Sequence, residues 1–359
     1  MARYTHASID LAALSYNFSA MCDFSPNSKQ VVVVKADAYG NGAVATAKHL
    51  QDKADMFAVA FLDEVFELRE AGIQQPILVL QGPHREQECE LTNSLNVIWL
   101  LHTEQQLNWI NKRIENNEID NLHHWVKFDT GMHRLGLLLK DYENFHREYR
   151  HIFHSKTVVA THLATADEPE NDLSALAINT FISAMKGRHG CLSIANSAAN
   201  ICLPSAALTW NRMGISLYGS SPFEHDELAV DLKPVMQLHS EVIALRQIEA
   251  GESVGYGATW TAEKPSLIAT VALGYADGYP RQAPIGTPAL FAGERAHLVG
   301  RVSMDMLTFD VTHLQQVDIG TPVELWGKNL SINTVAKHIG TIGYELMTRI
   351  SKRVPRVYL

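Results

Sequence analysis

The segment VVVVKADAYGNG, Val31 to Gly42, decides the fold. Four consecutive β-branched residues favour a strand, and with no polar alternation it is a strand suited to burial on both faces. Lys35 follows at once. Lysine is almost never fully buried without a partner, so one at the end of such a strand calls for a role.

Outward from this segment, short apolar runs alternate with amphipathic ones. Strands are expected at Val31–Lys35, Met56–Phe61, Pro76–Leu80, Val97–Leu101, Trp125–Asp129, Val158–His162, Leu192–Asn196 and Trp210–Leu217. Between them, LDEVFELREAG, TEQQLNWINKRI, DYENFHREYRHI and LSALAINTFISAMKG repeat apolar residues at helical spacing. The helix between the third and fourth strands is weakly signalled. Eight strands with intervening helices predict an α/β fold, a parallel (β/α)8 barrel whose closure leaves no edge. Beyond it, LHSEVIALRQI, SLIATVALGY and PVELWG read as strands separated by turns, with INTVAKHIG as a helical exception. The expected organisation is a barrel over residues 1–231 and a mainly-β domain over 232–359.

Composition narrows the classes. Of 359 residues, 46% are apolar and 19% charged, which suits a compact protein rather than a disordered one. No apolar run reaches the roughly 20 residues of a membrane span, and MARYTHASIDL lacks a secretory pattern, so a cytoplasmic protein is expected. The net charge of −9 and the lack of a basic stripe argue against a nucleic-acid partner. Cys22, Cys89, Cys191 and Cys202 form neither a CxxC pair nor a disulfide framework, so reduced thiols and no metal are expected.

In such barrels the chemistry sits at the carboxyl ends of the strands. There the sequence places Lys35, KFDTGMHR (Lys127 to Arg134), His162, Asn196 with Ser197, and Arg212 before Gly214. Loops after strands seven and eight often bind phosphate, for which Ser197 and the amides of Gly214 and Ile215 could serve as donors. A phosphate anchor and a strand-end lysine together suit an aldehyde cofactor with a phosphate handle, held as a Schiff base; pyridoxal 5′-phosphate meets both requirements.

The same segment resembles the pyridoxal-lysine motif of alanine racemases. The resemblance continues through KFDTGMHRLG, THLATADE, ANSAA, RMGISLYG, VGYGATW, GYADGYPR, GRVSMDM, PVELWG and GYELMTRISKRVPRVY, in family order over nearly the whole chain. It implies a homodimer in which each β domain completes the partner's site. It also implies interconversion of L- and D-alanine by two acid/base groups on opposite faces of Cα, supplying D-alanine for peptidoglycan.

Carried over by motif, Lys35 holds the cofactor and acts on one face, and Tyr256 acts on the other from the partner subunit. A phenol, with an ordinary pKa near 10, needs help to act as a base at neutrality. The resemblance puts His162 beside it and Arg212 on the far flank of His162. Arg212 would meet the cofactor's ring nitrogen; having donors only, it requires that nitrogen to accept and stay unprotonated, which favours reprotonation at Cα over transamination. Arg134 and the Met304 amide would bind the substrate carboxylate, with Lys127 carboxylated on its amine to orient Arg134. Tyr39, Ser197 and Tyr344, with the Gly214 and Ile215 amides, would hold the phosphate. Tyr256 and Tyr344 would leave room for about a methyl group, and Tyr275, Arg281, Asp167, Arg301 and Ile342 would line an access corridor. Asp305 reads as ordering its loop; Ser303 and His133 fall at variable positions without a role. The competing readings are a racemase of broader range, for example on serine, a decarboxylase of related design, a non-catalytic pyridoxal-phosphate-binding protein and a cofactor-free barrel enzyme.

Overall fold

The computed structural model describes residues 3–120, 124–223 and 230–359. Its first sheet contains the parallel strands Lys29–Val33, Met56–Val59, Ile77–Val79, Val97–Leu101, Trp125–Asp129, Val158–Ala160, Leu192–Ser193 and Trp210–Met213. Each pairs with the next from the first to the seventh, and the eighth returns to the first, with Arg212 opposite Val31. The remaining seam, between the seventh and eighth, is bridged by the Arg212 N–H to the Ala195 carbonyl (3.1 Å) and by Ser193 Oγ to the Trp210 carbonyl (2.9 Å). All eight expected segments contain a strand, most of them shorter at the carboxyl end than the apolar run suggests. There the chain leaves the ladder to turn over the barrel mouth.

The helices form where apolar spacing and caps coincide. Glu104–Glu115 starts at Thr103, whose side chain accepts from the Gln106 N–H, and buries Leu107 and Ile110, three residues apart on one face. Between the third and fourth strands the chain makes the 3-10 helix Glu86–Leu91 instead of an α-helix.

In the second sheet the long strand Met236–Ile248 pairs antiparallel with both Ser266–Val271 and Pro322–Trp326, closing a ring of six strands. It also pairs with the amino-terminal strand His6–Ile9, which in turn runs parallel to Arg356–Tyr358. A division of the chain at 231/232 therefore leaves its first strand hydrogen-bonded in the other unit's sheet. The helix Ile332–Ile339 lies where INTVAKHIG suggests one. One hydrophobic cluster runs through both units, from Ala7 and Val31 to Trp326 and Val354. No helix among the described residues is long and apolar enough to cross a membrane.

Candidate active site

The barrel strands deliver their terminal residues to one cavity of about 620 Å³. Lys35 enters it from a turn with an unusual backbone. After Val34 the chain takes left-handed φ values of 53–54° at Ala36, Asp37, Ala38 and Tyr39, four residues with side chains. That conformation costs on the order of 1–2 kcal/mol per residue, so it persists only where its surroundings fix it. The Asp37 carboxylate accepts from the Ala43 N–H (2.8 Å), the Glu64 carboxylate from the Ala36 N–H (2.6 Å), and Arg356 Nε donates to the Gly40 carbonyl (3.0 Å). Gly40 ends the turn at φ 79°, where a Cβ would lie 2.3 Å from the Met347 carbonyl oxygen.

Among the described residues four cations, Lys35, Lys127, Arg134 and Arg212, line the cavity, and no carboxylate does. Burial pushes the Lys35 amine below its ordinary pKa, and Arg134 adds to the effect. Burial, then Arg212 and Arg134, bring Lys127 down to about 8. Crowded like charges with little water are costly, so a cavity of this composition is built for anions.

Arg212 is buried. It donates to Ser193 Oγ (2.5 Å), to the carbonyls of Thr161 (2.8 Å) and Ile194 (2.9 Å), and to His162 Nδ1 (3.2 Å). Burial lowers its pKa to about 10, which leaves it charged at neutrality. Guanidinium has only donors, so Nδ1 of His162 is the acceptor and the imidazole proton resides on Nε2. Burial, with Arg212 next, holds His162 well below the usual histidine range and so neutral. Among the described residues these bonds engage both terminal nitrogens of Arg212 and not Nε, which leaves the Nε–H free for an acceptor in the cavity.

Above the seventh and eighth strands lies a small cradle. Asn196 caps the short helix Ser197–Cys202 through the Ala199 N–H, and Ser197 Oγ accepts from the Gly214 N–H (2.9 Å). A Cβ at Gly214 would stand 2.9 Å from the Tyr39 hydroxyl and 3.6 Å from Ser197 Oγ, filling the space these groups surround. Tyr39 and Tyr344, with ring centroids 6.0 Å apart, also line the cavity. Burial raises the pKa of both phenols, so they remain protonated donors. Hydroxyls, amides and nearby cations around an opening of this kind suit a phosphate group, and Lys35 in the same cavity suits an aldehyde, so these residues fit pyridoxal phosphate.

Two of the expected residues stand elsewhere. Tyr256 is 70% exposed and Met304 53% exposed, and neither lines the cavity of its own chain. Tyr275, Arg281, Asp167, Arg301 and Ile342 are likewise outside its lining; Asp305 pairs with Arg353 at 2.8 Å. Met304 and Tyr275 belong to two joined loops: Tyr275 N–H donates to the Ser303 carbonyl (3.0 Å) and Ala276 N–H to the Met304 carbonyl (2.9 Å). His133 has left-handed φ and pairs with Asp129, whose carboxylate also accepts the N–H groups of residues 131–133 and so shapes the turn before Arg134. Sequence reasoning passed over Gln81, which lines the cavity just past the third strand; the strand-end rule that selects His162 would have selected it too. Among the described residues no cluster of three or more His, Cys, Asp or Glu could hold a metal ion.

Comparison with known proteins identifies the family. The family model for the alanine racemase N-terminal domain matches residues 9–222, and that for the alanine racemase C-terminal domain matches residues 235–358. The chain belongs to the alanine racemase family. It is 46% identical over 357 residues to the alanine racemase of Alteromonas mediterranea, covering 99% of each chain. Among solved structures it superposes with a TM-score of 0.93 on the biosynthetic alanine racemase of Pseudomonas aeruginosa, at 41% identity and 99% coverage of both. The TM-score is 0.90, at 29% identity and 99% coverage of both, for the alanine racemase of Bartonella henselae with covalently bound pyridoxal phosphate. The residues lining the cation-rich cavity all lie within the two matched stretches.

Proposed function

We propose that the chain is an alanine racemase that interconverts L- and D-alanine with pyridoxal 5′-phosphate linked to Lys35. The observation that carries the reading is the convergence of Lys35, three further cations and the Ser197–Gly214 cradle in one cavity with no carboxylate among its described lining residues. When bound, the cofactor draws electron density from the substrate Cα and lowers the barrier to losing its proton.

The residues divide the remaining work. Lys35, with its amine pKa lowered by burial, takes or returns a proton on one face of Cα. Tyr256 serves the other face from a second copy of the chain, which accounts for its exposure in a single one. The His162 Nε2–H lies ready to stabilise that phenolate, while Arg212 keeps the imidazole neutral by occupying Nδ1. Arg212, with its Nε–H free, would meet the cofactor's ring nitrogen as a donor and, unable to supply a proton, would keep it from strengthening electron withdrawal further. Reprotonation at Cα is thereby favoured. Arg134 offers a planar fork to the substrate carboxylate, assisted by the Met304 amide of the second copy. Lys127, down at about 8, presents a substantial neutral fraction near pH 7.5, the form able to take up carbon dioxide; a carbamate there would pair with Arg134 and relieve the like charges. Tyr39, Tyr344, Ser197 and the Gly214 and Ile215 amides would hold the phosphate, the Gly214 N–H exchanging Ser197 Oγ for a phosphate oxygen. The homodimer and a cytoplasmic role in supplying D-alanine for peptidoglycan complete this reading.

Chirality-resolved product analysis with alanine, serine and lysine tests it. Alanine is expected to lead serine in kcat/KM by roughly ten- to a hundredfold, because a space sized for a methyl group rejects one added hydroxyl only to about that extent, and lysine is expected to lag further. Equal turnover of all three would replace the assignment with a broad-range racemase.

A further inference from the structure

We propose that Glu64 is the positioning residue for Lys35, its carboxylate clamping the backbone of the lysine-bearing turn to the neighbouring strand end. The proposal rests on the reading of Lys35 as the cofactor lysine. Glu64 lies in the first turn of the helix Leu62–Glu70, and Oε2 accepts from the N–H groups of Ala60 (2.7 Å) and Phe61 (3.3 Å). That half is ordinary helix capping. The other half is not. Oε1 reaches 28 residues back in the chain to the Ala36 N–H, at 2.6 Å.

Ala36 is the residue next to Lys35 and the first with left-handed φ. Its N–H lies where the chain leaves the first barrel strand for the strained turn, and the carboxylate takes up this donor. One anionic group thus ties together the ends of the first and second barrel strands, on either side of the point from which Lys35 enters the cavity. Charge acts in the same place. Glu64 raises the affinity of the Lys35 amine for its proton, against burial and Arg134, which lower it. The other titratable side chains lining the cavity are Tyr39, Lys127, His162, Arg212 and Tyr344, so Glu64 is set against a field of cations.

The test uses Glu64→Gln, which preserves shape but has one acceptor oxygen, so it serves either the Ala36 N–H or the Ala60 N–H and carries no charge. The Lys35 titration midpoint is read on the full chain, freed of cofactor, by pH-dependent reductive methylation with formaldehyde and mass spectrometry of the Lys35 peptide. The midpoint is expected to fall by about one pH unit, roughly a tenfold larger neutral fraction well below it. Glu67→Gln, which removes a charge from the same helix, is expected to leave it in place. In the cofactor-loaded enzyme, Glu64→Gln is expected to lower kcat at least about tenfold with the KM for alanine within about twofold, since Arg134 is untouched. A midpoint unchanged from wild type, accompanied only by a lower melting temperature, would reduce Glu64 to a helix cap. Because the labelling reads Lys35 without cofactor, its outcome is separable from whether Lys35 carries one.

Discussion

Mixing two inactive variants, Lys35→Ala and Tyr256→Phe, is expected to restore about a quarter of wild-type racemisation after subunit exchange. Alone, Lys35→Ala loses the cofactor linkage and one proton carrier. Tyr256→Phe loses the other carrier, a loss of about 10²–10⁴-fold in both directions. In a mixed dimer, one site combines both defects and the other combines an intact Lys35 with an intact Tyr256 from the opposite chain. Random exchange makes half of the dimers mixed, and half of their sites are whole. The prediction follows from the 70% exposure of Tyr256 and its position outside the cavity of its own chain. The same exposure means that Tyr256→Phe should leave folding stability within about 0.5 kcal/mol of wild type. Activity is measured after exchange is verified by mass spectrometry of intact dimers. Exchange without recovery would place Tyr256 in the site of its own chain or outside the reaction.

Arg212→Ala is expected to cost both the fold and the reaction. The guanidinium is buried and satisfies two backbone carbonyls, Ser193 Oγ and His162 Nδ1. Its removal leaves these acceptors unpaired inside the barrel, a loss of about 3–5 kcal/mol, or roughly 10 °C in melting temperature for a unit of this size. Racemisation should fall by at least about a hundredfold in the protein that remains folded, because the neutral His162 tautomer loses the donor that sets it. Arg212→Lys retains a charge but cannot span the same acceptors, and should recover little of the stability. Thermal melts and kinetics at a temperature where both proteins are folded provide the check. A melting temperature within about 2 °C of wild type with racemisation within about threefold would contradict the assignment.

Much of this architecture was legible in the residues themselves. A run such as VVVV ahead of Lys35 has little choice but a buried strand, and eight such runs at regular spacing leave few alternatives to a barrel. The strand-end rule then found Lys35, Lys127, His162, Ser197 and Arg212 in one cavity. It could not find what depends on backbone conformation or distant pairing. The left-handed turn at Ala36–Tyr39 has ordinary alanine, aspartate and tyrosine at positions where a local rule looks for glycine. Its supports, Glu64 and Arg356, come from the helix after the second barrel strand and from the far end of the chain. The amino-terminal strand His6–Ile9 joins a sheet built from residues more than 220 positions away, a long-range pairing that periodicity does not encode. The roles expected of Tyr256 and Met304 came only from family resemblance, because nothing in their local sequence points to a site.

Borohydride reduction of the purified, cofactor-loaded protein followed by peptide mapping tests the central claim most directly. Reduction fixes the link between the cofactor and the amine that holds it. The expected result is one modified peptide, containing Val31 to Gly42, with the added mass on Lys35. A modification on Lys127 or any other lysine, or a reduced protein with no adduct, would contradict the account.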